Sequence, residues 1–126
     1  MFSHMTVGSN DIERSKKFYD AIFTATGGGE GRVDDKGRVI YMKDGGVLVV
    51  TPPINGERAT HGNGCTIGFN VSGQEQADAW HQAGVAAGGT AVEDPPGVRG
   101  MPGMSLYLAY LRDPDGNKLC ALHRVP

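Results

Sequence analysis

The feature that most constrains the fold of this chain is an internal repeat. The first half opens with His4-Met-Thr-Val-Gly8, an acidic Asp11 and a helical run from Ile12 to Phe23 that contains Phe18 and Tyr19. The second half opens in the same order, with Cys65-Thr-Ile-Gly-Phe-Asn-Val71, a polar Ser72-Gly-Gln-Glu-Gln76 and a helical run carrying Ala77, Trp80 and Ala83. Val39-Ile-Tyr-Met-Lys-Asp-Gly-Gly-Val-Leu-Val-Val50 is echoed by the stretch from Leu108 to Leu122, each reading as strand, tight turn and strand. Two β-α-β-β-β units in tandem imply a pseudo-twofold axis, and the cleft they share is where such symmetry places a ligand.

The 126 residues make one domain of ordinary size, with one unit over about 1–52, a linker over about 53–63 and a second unit over about 64–126. In each unit alternating apolar and polar side chains mark strands, and apolar side chains at helical spacing mark one helix, over about 11–25 and 73–87. On the first strand Phe2, His4 and Thr6 share one face and Met5 and Val7 the other. Phe18, Phe23 and Trp80 belong to the core. The stretch from Asp94 to Met104 holds three prolines and three glycines and reads as a long loop. Asp113-Pro-Asp-Gly116 is a type I turn between the last two strands.

Composition removes several classes of function. A net charge of −2 with scattered lysines and arginines gives no footprint for DNA or RNA. No apolar run approaches the length of a membrane helix, and no signal peptide opens the chain, so a cytoplasmic protein is expected. Cys65 and Cys120 lie in strand-like runs and read as free thiols.

His4…Asp11-Ile-Glu-Arg-Ser15…Phe18-Tyr19 together with Arg112-Asp-Pro-Asp-Gly-Asn-Lys118 resembles the vicinal oxygen chelate superfamily, which includes glyoxalase I, extradiol dioxygenases and bleomycin-resistance proteins. The resemblance spans essentially the whole chain. It implies an α+β fold in which two βαβββ units form an open, curled mixed sheet with helices on the outer face and the ligand in the concavity. Enzymes of the superfamily hold a divalent metal with His and Glu side chains at four inward strand positions. In register these positions are His4, Val49, Thr66 and Cys120 in this chain. Only one strong ligand is present, since valine coordinates nothing and a threonine hydroxyl is a poor ligand for Zn, Ni or Fe.

No metal or other cofactor is therefore expected. Two readings of function follow: a small-molecule-binding protein with a degenerate metal site, or a glyoxalase-like lyase or isomerase in which His4 acts as acid-base or as a weak metal ligand. An assembly subunit is a third. The expected cleft residues are His4, Thr6, Val49, Thr66, Arg99, Met101, Tyr107 and Cys120, with Arg99 as an anion clamp. Cys120 reads as packing and Thr66 as either a ligand contact or a strand filler. Tyr107 and Tyr110 alternate, so only one of them can line the cleft. Open strand edges predict a homodimer, and a small organic molecule is the expected ligand.

Overall fold

The computed structural model describes all residues from Met1 to Pro126. The chain runs β1 (His4–Gly8), α1 (Ile12–Ala25), β2 (Arg32–Val33), β3 (Val39–Lys43), β4 (Gly46–Thr51), β5 (Ile67–Asn70), α2 (Gln74–Ala86), β6 (Thr90–Ala91), β7 (Gly97–Met101), β8 (Met104–Arg112) and β9 (Lys118–Val125). Two mixed sheets result, one ordered β1-β4-β3-β2 and the other β5-β9-β8-β6, with β7 also paired to β8. Both begin with a strand that returns parallel to the last strand of its own unit, as a strand-helix-strand crossover requires.

The registers correspond. Thr6 faces Val49 in the first sheet and Gly68 faces Cys120 in the second. The buried faces of the helices correspond too. Ser15, Phe18 and Ile22 of α1 occupy the places that Ala77, Trp80 and Gly84 take in α2, each pair separated by the same interval in the chain. A Cβ on Gly84 would stand 2.3 Å from Leu111 and 3.1 Å from Ile22, so the glycine is the gap that lets α1 lie against α2.

Asp11 caps α1, its carboxylate accepting from the Arg14 N–H at 3.1 Å, and the helix ends at the Thr26-Gly27-Gly28 turn. Apolar side chains of both helices and of one face of each sheet form one core, including Val7, Tyr41, Leu48, Leu111 and Leu119. The residues alternating with them lie on the opposite, helix-free faces.

Three expectations are corrected. The stretch from Asp94 to Met104 is largely a strand: β7 pairs with β8 through the two-residue turn Pro102-Gly103, in which Gly103 has φ +76°. Proline followed by glycine in the left-handed region is a tight-turn signature, and the glycines flanking Val98 and Arg99 obscure the alternation. The second unit begins its strand at Ile67, leaving Cys65 and Thr66 in the preceding turn and extended segment. Tyr107 faces the helices, and its hydroxyl donates to Asp78 of α2 at 2.6 Å, so Tyr110 is the tyrosine on the helix-free face.

Candidate functional site

On the first sheet the helix-free face carries His4 and Thr6 of β1, Val47 and Val49 of β4, and Ile40 and Met42 of β3, with His4 beside Val47 and Thr6 beside Val49. His4 is exposed, and its Nδ1 lies 2.7 Å from the Ser3 hydroxyl. This floor is apolar with a polar rim.

The helix-free face of the second sheet is more covered. Leu106, Leu108 and Cys120 form a small buried cluster against Met104, Tyr110 and Leu122. Tyr110 stands opposite Cys120. Two cations approach its ring, the Arg99 guanidinium at 6.0 Å and the Lys118 ammonium at 4.9 Å from the ring centre. Lys118 in turn pairs with Glu93, a residue held at φ +59°. Burial pushes the Cys120 thiol above its ordinary value, so the protonated form is favoured and a nucleophilic role is disfavoured.

Arg99 does not stand free as an anion clamp. Its guanidinium donates to the carbonyls of Gly97, Leu108 and Asp94 at 2.9 to 3.0 Å, so it fastens β7 and the preceding turn to β8. Met101 sits at the hairpin tip opposite Met104. Thr66 is exposed ahead of β5. His4, Thr6 and Val49 therefore share one sheet face, while Cys120, Arg99 and Met101 share a face of the other sheet; no hydrogen bond joins the two faces. No three His, Cys, Asp or Glu side chains gather in a metal-holding group. Of the four residues that the sequence reading set at metal positions, His4 and Cys120 carry atoms a transition metal takes readily, and Val49 carries none.

The two units dock through polar groups that the sequence reading did not identify. Tyr19 donates its hydroxyl to Asp113 at 2.6 Å, while Asp113 also accepts from the Asn117 amide and the backbone N–H groups of Asp115 and Asn117. Asp115 accepts from Arg14, Ser15 and the Asn10 N–H. The Arg112–Lys118 stretch is thus a docking turn. Burial, and then the Asp113 carboxylate beside it, raises the Tyr19 hydroxyl well above the usual phenol range.

A family profile for the glyoxalase/bleomycin resistance protein/dioxygenase superfamily matches residues 1–121. The chain belongs to this superfamily. A glyoxalase/bleomycin resistance protein from Albidiferax ferrireducens T118 is 56% identical, with a TM-score of 0.94 over 98% of this chain and 99% of that one. A family enzyme from Burkholderia phytofirmans PsJN is similar in fold at 17% identity, with a TM-score of 0.74 over 98% of each chain. The lactoylglutathione lyase from Agrobacterium tumefaciens also shares the fold, at 18% identity and a TM-score of 0.67, over 97% of this chain and 92% of that one. A search of curated proteins gave no match. No helix is long and apolar enough to cross a membrane.

Proposed function

We propose that this member of the superfamily binds a small organic molecule on its helix-free faces without a metal. The observation that carries the reading is the donor set His4, Val49, Thr66 and Cys120. One imidazole makes one good bond, Cys120 would have to lose a proton that burial holds on it, and neither valine nor threonine completes a site. The floor around these positions is apolar, formed by Ile40, Val47 and Val49 on one sheet and Leu106, Leu108 and Leu122 on the other. An apolar floor with a few polar groups at its edge suits a small organic ligand.

The reading includes a homodimer. Met42 on the helix-free face is 67% exposed and Met101 at the β7–β8 tip 53%, and covering such surface with a second chain stabilises it. Light scattering at micromolar concentration should give twice the chain mass. The reading also places the protein in the cytoplasm, in keeping with two unpaired cysteines.

The donor argument is tested by building the missing ligands. Val49→Glu, Thr66→His and Cys120→Glu together should take up one equivalent of nickel or zinc while the unaltered protein takes up none. Equal uptake by both would overturn the reading. The second reading, a glyoxalase-like lyase or isomerase, is favoured by one feature: Ser3 engages Nδ1 of His4 and leaves Nε2 without a partner in the chain. Turnover of a small oxygenated metabolite, lost in His4→Ala with folding intact, would put that reading first.

A further inference from the structure

At the seam between the units lies a cavity of about 230 Å³, lined chiefly by side chains of the helix-bearing side, with Val47, Gly68 and Asn70 at its mouth. Phe23 of α1, Tyr41 of β3, Phe69 of β5 and Trp80 of α2 line it, with Lys43 and Asn70 at its polar edge. The aromatic rings form a connected series. Phe23 stacks on Tyr41 at 4.6 Å and 6°, Phe69 meets Phe23 edge-on at 5.8 Å, and Trp80 lies 6.3 Å from Phe69. A dry apolar cavity of about 150 Å³ accepts benzene, so this one has room for two fused rings.

One hydrogen-bond donor is left over here. Trp80 is 1% exposed, and its indole N–H has no partner in the chain. No fully buried side-chain nitrogen or oxygen goes unpaired, so this donor keeps access to the space beside it. Lys43 is engaged by Asp44 at 2.7 Å. Asp44 at the edge cancels the Lys43 charge and disfavours an anion. The complementary molecule is flat, uncharged and carries an acceptor.

We propose that this seam cavity is a second ligand site, taking an uncharged aromatic compound of one or two rings that bears a carbonyl acceptor. The ring body lies among Phe23, Phe69 and Trp80, and the carbonyl accepts from the Trp80 indole N–H. The pseudo-symmetry explains why the site is at this end alone. At the other end of the seam the β8–β9 turn docks on α1 through Asp113 and Asp115. Here the corresponding β3–β4 turn faces α2 without such a group: Ala77 stands where α1 has Ser15, and His81 where it has Tyr19.

Trp80 is the chain's one tryptophan, so its indole N–H gives a single resonance in a ¹⁵N-labelled sample. Coumarin, two fused rings with a carbonyl, should move that resonance saturably, and chromene, which lacks the carbonyl, should bind about tenfold more weakly. Gly46 lines the cavity on the face that carries Leu48, has an ordinary φ, and an added Cβ would meet only the Lys43 carbonyl at 3.6 Å. Gly46→Leu should therefore weaken coumarin binding at least tenfold, and Met5→Phe, which narrows the same space, should do so if Gly46→Leu fails to fold. Val49→Lys, on the helix-free face, should leave it unchanged. No saturable movement, or binding kept in Gly46→Leu, would overturn the proposal. Binding lost only in Val49→Lys would place the ligand on the helix-free face and leave the reading of that face standing.

Discussion

The two ends of the seam between the units are built from corresponding elements and finished in opposite ways. At one end a β-hairpin turn carries Asp113 and Asp115, and α1 meets them with Tyr19, Ser15 and Arg14. At the other end the equivalent turn carries Lys43 and Asp44, and α2 offers Ala77 and His81 in the matching places. The first end is closed by hydrogen bonds between buried groups and the second is left as an aromatic-lined cavity. Duplication of a unit thus preserves the strand registers and the spacing of the helix core, while a few polar substitutions decide which end holds the halves together.

The largest effect should come from the closed end. Asp113→Ala removes the acceptor of the buried Tyr19 hydroxyl, the Asn117 amide and two backbone N–H groups, and orphaned buried donors each cost about 1–3 kcal/mol. A loss of about 3 kcal/mol or more in urea unfolding is expected, against about 1 kcal/mol for Tyr19→Phe. No loss in Tyr19→Phe would mean that Asp113 serves its own turn and not the docking of the units; equal losses would mean that it acts through Tyr19 alone.

Gly84→Val should come next, at about 2 kcal/mol, because the added atoms enter the place of Leu111 and Ile22 where α1 and α2 touch. The reverse change at the corresponding position of α1, Ile22→Gly, empties that space and should also destabilise.

Alkaline pH separates the ends in another way. The hydroxyls of Tyr19 and Tyr41 are both raised, by burial first and then by the carboxylates they touch, Asp113 and Asp20. A phenol whose folded pKa exceeds its unfolded value near 10 contributes stability that is fully present below pH 10 and lost as pH rises toward the folded value. Unfolding midpoints should fall above pH 10, and the fall should be shallower in Tyr19→Phe. Asp20 gives the acid counterpart. Burial works to raise its carboxyl, but the Gly31 N–H, Lys16 and Tyr41 hold it net below the usual range. Its contribution is present above the unfolded pKa and fades as pH falls below about 4.

The smallest effect belongs to Arg99. Three bonds to backbone carbonyls at a partly exposed site are worth about 1 kcal/mol in total, so Arg99→Ala should lower stability by that amount and loosen hydrogen-exchange protection in β7. A loss of ligand binding with unchanged β7 protection would restore the anion-clamp role.

The repeat made the fold legible, because strand and helix periodicities appear twice in the same order and the helix bounds fell within one residue of those found at each end. The face of each β1 and β9 residue was legible for the same reason: His4 and Cys120 alternate with Val7 and Ala121, which enter the core. Tyr107 was assigned to the wrong face because alternation relates it to Tyr110 without saying which of the two meets a helix, and Asp78, its partner, lies 29 residues earlier in the chain. β7 was hidden because its glycines carry no side-chain pattern and its pairing depends on β8. The seam cavity and the docking turn depend on how one unit sits against the other, which no local pattern encodes. Asp113, Asp115 and Asn117 were visible only as a turn.

The metal content of the purified protein, measured by elemental analysis beside a titration with nickel and zinc, is the most direct test of metal-free binding. With one imidazole among His4, Val49, Thr66 and Cys120, less than a tenth of an equivalent of divalent metal should copurify, and no tight uptake should appear in the titration. One equivalent of tightly held nickel, zinc or iron, lost in His4→Ala, would contradict it.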